Sequence, residues 1–377
     1  MHRYFSAVFT VICASLLMFT AGASAQPTAS QPNSLAVGPN MNVARYDAAS
    51  TLLPSGNFLL AGGGGSSSFL DTLEIYRYRT NDFVPSSALP SMTSLRANET
   101  ATLLQNGKVL IAGGAVDNTT WTATTDIFNP ATRTITAGPN MGDQREGASA
   151  KLLGNGRVLI AGGRDSVGTL NSVDIYHPVK NTITVGPPMN VARYDSAAVI
   201  LPNGNLMIFG GFGGVPQSQP LKSTEIYNPS TNKWAVSPPS MLDARGGARA
   251  TVLANGTVLI SGGTNATAVL ATTEIYHPTT RTFTAGPDMN APRKYHAQIR
   301  LPSGRVLIAG GYSDNTGLAV IDTTDIYHPV THKITAGPMM NDARGLASGA
   351  LFANGKTLIA GGINGLLVLD TTDLYTP

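Results

Sequence analysis

The sequence is poor in cysteine and in charged residues. Only one of its 377 residues is a cysteine, Cys13, and only 12 % are charged. A single cysteine excludes an intramolecular disulfide, and no Lys/Arg block marks a nucleic-acid-binding surface, although the isoelectric point is about 8.9. With 42 % hydrophobic residues and a net charge of +3, the chain is too apolar and too weakly charged for a disordered polymer. We therefore expect a folded protein that binds no nucleic acid.

The first 25 residues have the pattern of a secretory signal peptide. Arg3 precedes an apolar run over 5–19, and Ala23-Ser24-Ala25 supplies an A-x-A cleavage site. The run is shorter than the ~20 residues that a membrane-spanning helix needs. We therefore predict a signal peptide at 1–25, a secreted or periplasmic mature chain without cysteine, and no membrane insertion after cleavage.

Helical periodicity is absent, and three markers recur at steps of 48–52 residues. Paired glycines occur at 62–63, 113–114, 162–163, 210–211, 262–263, 310–311 and 361–362. An arginine lies 17 residues before each pair, as Arg45, Arg96, Arg145, Arg193, Arg245, Arg293 and Arg344. A run of one acidic, one aliphatic and one aromatic residue begins at Glu74, Asp126, Asp174, Glu225, Glu274, Asp325 and Asp373. Three markers with the same count indicate seven internal repeats.

Each repeat is predicted to form four short antiparallel strands. In the third repeat, Asn155-Gly156 separates two apolar runs, which is a strong hairpin signal, and 182–185 has the length of a short fourth strand. Four-stranded units in tandem are typical of propeller blades. We therefore predict an all-β, seven-bladed β-propeller over 26–377, with a flexible lead-in at 26–33.

The repeats resemble kelch repeats. A double glycine is followed by a tyrosine and, seven positions later, by an aromatic residue, as in Tyr227 and Trp234; most other repeats carry Phe or Ile instead of tryptophan. The resemblance implies a closed ring of kelch-like blades. No fourth strand follows Tyr375, whereas 35–41 repeats the fourth-strand sequence. We therefore expect the N-terminal segment to complete the last blade.

The seven repeated arginines equal the repeated carboxylates in number. A bidentate arginine–carboxylate link in every blade would use both sets. We therefore predict a structural role, rather than an anion-binding funnel along the axis, for Arg45, Arg96, Arg145, Arg193, Arg245, Arg293 and Arg344.

One face of the predicted ring varies from blade to blade. It carries the loops that enter the first strands and those that join the second and third strands, whereas turns on the other face are nearly identical. Variation on a constant scaffold indicates where a binding site lies. The candidate ligand-binding residues are Tyr46, Asp47, Asn98, Glu99, Tyr194, Asp195, Lys294, Tyr295, His296 and Tyr312.

The segment 293–305 resembles a blade of galactose oxidase-type copper enzymes, in which an adjacent tyrosine and histidine bind copper. The resemblance maps these two ligands to Tyr295 and His296. The second tyrosine ligand of those enzymes and its cross-linked cysteine have no counterpart here, and their remaining histidine comes from a further C-terminal domain. Two ligands of four make a poor copper site. We therefore expect no metal and no cofactor, copper included.

These observations favour a monomeric binding module whose partner is a carbohydrate or an extracellular protein. Tyrosines can stack on sugar rings while neighbouring polar groups form hydrogen bonds. The alternative is a kelch-type enzyme on sugars, either epimerase- or lyase-like, with acid/base groups drawn from Tyr295, His296, Glu99 and Glu146, or a degenerate galactose-oxidase-like copper oxidase. Titratable groups that converge in one pocket would favour the enzyme, and dispersed ones the binding module.

Overall fold

The computed structural model describes residues 33–213, 219–235 and 239–377. The predicted signal peptide at 1–25 and nearly all of the lead-in at 26–33 lie outside the described residues. Within the described ranges the one helical element is a 3₁₀ turn, Ser86–Ala88, and none of their helices is long and apolar enough to span a bilayer. Strands and tight turns make up the described chain.

Seven four-stranded antiparallel sheets follow one another along the chain, and each sheet is a blade. Blades 1 and 2 consist of Ala49–Leu52, Phe58–Ala61, Leu73–Arg77 and Asp82–Phe83, then Thr100–Leu103, Val109–Ala112, Thr125–Asn129 and Thr134–Ala137. Blades 3 and 4 consist of Ser149–Leu152, Val158–Ala161, Val173–His177 and Thr182–Val185, then Ala197–Ile200, Leu206–Phe209, Thr224–Asn228 and Lys233–Trp234. Blades 5 and 6 consist of Arg249–Val252, Val258–Ser261, Thr273–His277 and Thr282–Ala285, then Ala297–Arg300, Val306–Ala309, Thr324–His328 and Lys333–Ala336.

Blade 7 is assembled from both ends of the described chain. Its first three strands are Ser348–Leu351, Thr357–Ala360 and Thr372–Thr376, and the outer strand is Ser34–Val37. Leu35 lies opposite Tyr375 in this antiparallel pair. The innermost strand of blade 7 also contacts that of blade 1. The predicted all-β, seven-bladed propeller is confirmed, and the expected completion of the last blade by the N-terminal segment agrees with this pairing.

Two short ribbons extend the loops between second and third strands. Phe212–Gly213 pairs with Gln219–Pro220 in blade 4, and Ile363–Asn364 pairs with Leu367–Val368 in blade 7. These loops lie on the same side of the ring as the segments that enter the first strands.

Asn-Gly turns form the first hairpin in five of the seven blades, and Ser-Gly turns at Ser55 and Ser303 form it in the other two. In blade 3, the Asn155 side-chain oxygen accepts the Arg157 N–H at 3.1 Å, and Gly156 has a φ of +80°. A side chain with a Cβ disfavours that conformation, so glycine lets the chain reverse within two residues. The following strand, Val158–Ala161, is buried along its whole length. The turn therefore places a fully buried apolar strand second in the sheet, beside the innermost strand of the blade.

The hydrophobic core lies between neighbouring blades. The cluster around Tyr227 and Trp234 of blade 4 includes Leu159 and Ile175 of blade 3. The Tyr227 and Trp234 rings are tilted against each other with centroids 5.2 Å apart. The seven-residue spacing from Tyr227 to Trp234 thus places two aromatic rings on adjacent strands at a blade interface.

The paired glycines connect each blade to the next. The second glycine of every pair donates its N–H to the carbonyl of the following blade's repeated arginine at 2.8–2.9 Å, and Gly362 closes the circle by donating to Arg45. The first glycine lies so close that an added Cβ would fall 2.1–2.6 Å from the same arginine carbonyl. Both glycines have a positive φ at all seven positions. Close backbone approach and backbone conformation therefore both require glycine here.

Each repeated arginine is buried in its own blade. Its Nη1 donates to the carbonyl of the first glycine of the pair at 2.6–2.8 Å. A guanidinium nitrogen also lies 2.7–3.6 Å from the third-strand carboxylate of the same blade. The carboxylate accepts backbone N–H groups from the segment before the arginine, as Asp174 does from Gly142 at 3.0 Å. The buried charges are thus paired and hydrogen-bonded within every blade.

Replacing Leu35 tests the closure of the ring. Leu35 packs on the blade 6–blade 7 core, so Leu35→Ala should lower the free energy of unfolding by about 1 kcal/mol, less than a fully buried leucine would cost. Val37 of the same strand is 66 % exposed, and Val37→Ala should change stability by less than about 0.5 kcal/mol. Urea unfolding of both variants measures the difference. Equal effects would contradict the role of this strand.

Replacing Asp126 tests the buried ion pairs. Both Asp126 and Arg96 are fully buried, with Nη2 and Oδ2 2.9 Å apart. Asp126→Asn leaves the guanidinium without its counter-charge and should lower the free energy of unfolding by about 3 kcal/mol. Asp143 also lies near an arginine, at 3.5 Å, but its side chain is 43 % exposed. Asp143→Asn should therefore cost under about 0.5 kcal/mol in the same denaturant titration.

Candidate functional site

A closed circle of backbone hydrogen bonds surrounds the propeller axis on the variable face. It is formed by the residues two positions after each repeated arginine, which we call the axial collar: Asp47, Asn98, Gly147, Asp195, Gly247, Tyr295 and Leu346. Each donates its N–H to the carbonyl of the collar residue in the preceding blade at 2.9–3.4 Å, and Asp47 donates to Leu346. All seven have a φ between +49° and +66°. The backbone groups of the collar therefore make the same hydrogen bonds in every blade. Only the collar side chains differ from one blade to another.

Three collar side chains form a hydrogen-bonded chain over the two glycines. The Tyr295 hydroxyl donates to Asp195 Oδ2 at 2.9 Å, and Asn98 Nδ2 donates to Asp195 Oδ1 at 3.1 Å. A Cβ on Gly147 would lie 2.6 Å from the Asp195 carboxylate, and one on Gly247 would lie 3.0 Å from the Tyr295 ring. The two glycines therefore make room for this chain of side chains.

Aromatic and charged side chains extend the face outward from the collar. The Tyr194 and Phe212 rings stack with centroids 5.5 Å apart, and the Arg164 guanidinium lies 4.9 Å from the Tyr194 ring centroid. Arg164 also donates to Glu146 at 2.8 Å. In blade 6, Tyr312 meets Tyr295 edge to face at 6.4 Å. This side of the face is rigidified by contacts among its own side chains.

Tyr46 lies beside an open groove between blades 1 and 2. Its ring lies against the Gly64 backbone, where a Cβ would come within 2.2 Å. The groove has a volume of about 380 Å³, and Phe69 is its second aromatic residue. The remaining groove residues are mostly polar or small: Gly65, Ser66, Ser67, Ser68, Leu95, Val116, Asp117 and Asn118. The groove therefore combines an aromatic face with several hydroxyl, amide and carboxylate groups.

Two of the candidate residues lie inside the ring instead of on its face. Glu99 is 7 % exposed and His296 is 1 % exposed. Glu99 Oε1 is 3.5 Å from the Ala49 N–H in blade 1, and His296 Nε2 is 2.7 Å from the Ser261 hydroxyl in blade 5. Both residues occupy the third position after the repeated arginine, where side chains turn toward the preceding blade. The residue after the collar is thus buried between blades at both positions, whereas the collar residues Asn98 and Tyr295 are only partly buried. Lys294 stays at the surface, and its Nζ donates to Asn315 at 3.2 Å.

Burial changes the acidity of several groups near the axis. It raises the pKa of Glu99 to about 8, against the lowering effects of backbone hydrogen bonds and of the Arg96 charge. Burial, followed by the charge of Asp195, raises the pKa of Asp47 to about 7. Burial and the Asp195 carboxylate raise the pKa of the Tyr295 hydroxyl well above its usual value. Burial and the nearby arginines lower the pKa of His296 well below its usual value, so its imidazole is neutral at pH 7.

The four candidate acid/base groups have separate partners. Tyr295 bonds to Asp195, His296 to Ser261, and Glu146 to Arg164. Glu99 faces blade 1 and has one buried oxygen, Oε2, without a partner among the described residues. The hydrogen bonds do not direct these groups at one common point.

The donor set for copper is incomplete. The Tyr295 hydroxyl and His296 Nε2 are both engaged in hydrogen bonds within the protein. In the described ranges, no group of three or more His, Cys, Asp or Glu side chains is arranged to hold a metal ion. These residues do not fit a copper centre of the galactose oxidase type.

Sequence reasoning missed two cations on the innermost strands, Lys151 and Arg249. The signal was present, because Arg249 stands where the other repeats have Ala, Ser or Thr, and Lys151 where they have Thr, Val, Ile or Ala.

Glu99→Gln tests the burial of an unpaired carboxyl. Because the pKa of Glu99 is higher in the folded chain than in the unfolded chain, the folded state binds this proton more tightly, and the free energy of unfolding falls as pH rises from about 4.5 to 8. Glutamine cannot ionise, so Glu99→Gln removes this pH-dependent loss of stability. The free energy of unfolding of the variant should exceed that of the parent chain by the order of 1–3 kcal/mol at pH 9. At pH 4.5 the two free energies should be equal.

Thermal unfolding across this pH range measures the difference, with Glu146→Gln as the control. Glu146 is buried to a similar extent but forms an ion pair with Arg164, so its replacement should give no gain at pH 9. A pH profile of Glu99→Gln that parallels the parent chain at every pH would contradict the argument.

The comparisons with known proteins agree with this architecture. A family model described as the Kelch motif matches residues 152–190, 193–241 and 245–290, which lie in blades 3 to 5. No curated protein matches the sequence. Among many similar solved structures is a fungal alcohol oxidase of the AA5 family in complex with copper; it is 16 % identical, with a TM-score of 0.71 over 91 % of this chain and 76 % of its own. At that identity the likeness shows the fold alone. The chain is therefore a seven-bladed β-propeller, and its blades 3 to 5 match the Kelch motif.

Proposed function

We propose that this propeller is an exported binding module and that the face around its axial collar binds carbohydrate. The observation that carries the proposal is the groove beside Tyr46, where an aromatic ring meets three consecutive serines and the Asp117-Asn118 pair. Sugars present apolar C–H faces and a rim of hydroxyls, which match an aromatic surface bordered by short polar side chains.

The tyrosine ring is held ready for a ligand. Tyr46 is positioned by the Gly64 backbone and by the backbone hydrogen bonds between these two residues, at 2.8 and 3.0 Å. A rigid aromatic group loses little conformational entropy when a ligand stacks on it, which favours affinity. Asn118 is exposed at the rim, where it can exchange water for sugar hydroxyls.

The distribution of titratable groups favours binding over catalysis. An epimerase or lyase needs an acid and a base within reach of one substrate atom. Tyr295, His296 and Glu146 are instead engaged with three different partners. The fold of the AA5 alcohol oxidase supports the alternative of a copper oxidase, but the residues at 295 and 296 do not fit a copper site.

Export and a monomeric state are part of the same proposal. Export rests on the apolar run and A-x-A motif at the N terminus. The closed ring of blades pairs its sheet edges internally at blade 7, which removes one route to strand-mediated association. The competing partner class is an extracellular protein that would bind the same face.

Saccharide titration tests the proposal. A panel of neutral mono- and oligosaccharides is added to the chain beginning at Gln26, and binding is followed by thermal unfolding and calorimetry. A ligand at about 100 times its Kd should add about 2.7 kcal/mol to the free energy of unfolding. Tyr46→Ala should abolish this gain, whereas Tyr46→Phe should keep it because the ring remains.

Leu366→Ala is the matched control for this experiment. Leu366 is 96 % exposed on the blade 7 loop of the same face, away from the groove, so its loss should leave saccharide binding unchanged. No response to any saccharide would refute carbohydrate binding and direct the search to a protein partner. A response that survives Tyr46→Ala would place the site elsewhere.

A further inference from the structure

A cavity lies along the propeller axis beneath the collar. Its volume is about 230 Å³. The collar residues Asp47 and Leu346 border it, and many of the lining residues are small residues of the innermost strands, such as Ser348 and Gly349. The repeated arginines that border each blade belong to the ion pairs described above, so they are not available to this cavity.

Arg249 is the cation that lines the cavity. Its Nε donates to the His296 carbonyl at 3.0 Å, which orients the guanidinium toward blade 6. In the described part of the chain, no acceptor is hydrogen-bonded to its two terminal nitrogens and no carboxylate lies within 4.0 Å. By contrast, every repeated arginine has a carboxylate within 3.6 Å. Arg249 therefore has a free pair of parallel donors inside the ring.

A second cation adds to the positive charge near the axis. Lys151 projects from the innermost strand of blade 3, and its side chain makes no hydrogen bond or ion pair with the described residues. Burial lowers its pKa, and the charge of Arg249 lowers it further, so the two cations interact. A cation removed from water without a counter-ion is costly, which favours occupation of the space by an anion.

The carboxyl groups near the axis offset this charge incompletely. Burial raises the pKa of Asp47 to about 7 and that of Glu99 to about 8, and burial also raises the pKa of Asp195. Asp47 and Glu99 therefore hold part of their protons at neutral pH. His296, whose pKa is lowered by burial, contributes no charge but has a buried Nδ1 without a partner among the described residues.

We propose that the axial cavity is a carboxylate-binding site in which the two terminal nitrogens of Arg249 hold the anion. Two parallel N–H donors match the two oxygens of a carboxylate, and Lys151 strengthens the attraction from blade 3. The Ser50 hydroxyl, which also lines the cavity, suits a ligand with a neighbouring hydroxyl, as in a small hydroxy acid. This site is separate from the groove beside Tyr46 and does not rest on carbohydrate binding.

The repeat itself supplies substitutions that preserve the fold. At the position of Arg249 two other blades carry serine, Ser149 and Ser348, and at the position of Lys151 other blades carry threonine, as at Thr51. Arg249→Ser and Lys151→Thr therefore introduce residues that this backbone already accommodates. Arg133→Gln is the matched control, because it also removes one positive charge but at an exposed turn.

The test measures binding of acetate and glycolate to the whole chain at pH 7 by calorimetry and thermal unfolding. Chloride and inorganic phosphate are compared at equal ionic strength. The carboxylates should raise the unfolding temperature and the other two anions should not. Arg249→Ser should weaken binding by about tenfold or more, Lys151→Thr by a smaller factor, and Arg133→Gln should match the parent chain.

Three results would overturn the proposal. Equal responses to acetate and chloride would indicate a general salt effect, and an equal response to phosphate would remove the carboxylate preference. Undiminished acetate binding by a folded Arg249→Ser variant would exclude this residue as the anchor. Saccharide binding at the groove beside Tyr46 can succeed or fail independently of all three.

Discussion

One backbone hydrogen bond per blade, from the second glycine of each pair to the next blade's arginine carbonyl, joins the blades into a circle. The geometry admits no Cβ at either glycine. Because the arginine whose carbonyl is used also pairs with its own third-strand carboxylate, the same residue connects adjacent blades and neutralises a buried charge. The propeller therefore depends on a glycine–arginine–carboxylate unit that is repeated in every blade.

The collar shows how a constant backbone allows variable chemistry. Its N–H and carbonyl groups are consumed by the second circle of hydrogen bonds, and all seven residues adopt the left-handed conformation, which glycine tolerates best and asparagine and aspartate tolerate better than most. Four of the seven positions carry an Asp, Asn or Tyr side chain. Where glycine occupies the collar, as at Gly147 and Gly247, a neighbour's side chain extends over it. The shape of the opening inside the axial collar therefore depends on which blades carry glycine at the collar position.

Much of the fold could be predicted because its determinants are local or repeated. The Asn-Gly turn at Asn155, the glycine pairs and the third-strand carboxylates each act over short sequence distances, and sevenfold repetition raises a weak signal above chance. Completion of blade 7 by Ser34–Val37 could be predicted from the repeated fourth-strand sequence. The arrangement of the candidate site was harder to predict, because Glu99 and His296 are separated from the collar residues Asn98 and Tyr295 by only one position along the chain. That one position decides between the solvent face and the blade interface.

The sequence by itself determined the number of blades, their strand order and the positions at which arginine, glycine and carboxylate recur. Only the tertiary structure decided which of the residues that depart from the repeat pattern lie next to one another. Tyr295, Asp195 and Asn98 are about a hundred residues apart in sequence yet form one hydrogen-bonded chain, and Arg249 reaches a cavity bordered by Asp47 and Leu346. A ring brings side chains from every blade to its axis, and their neighbours there depend on closure of the circle rather than on local spacing.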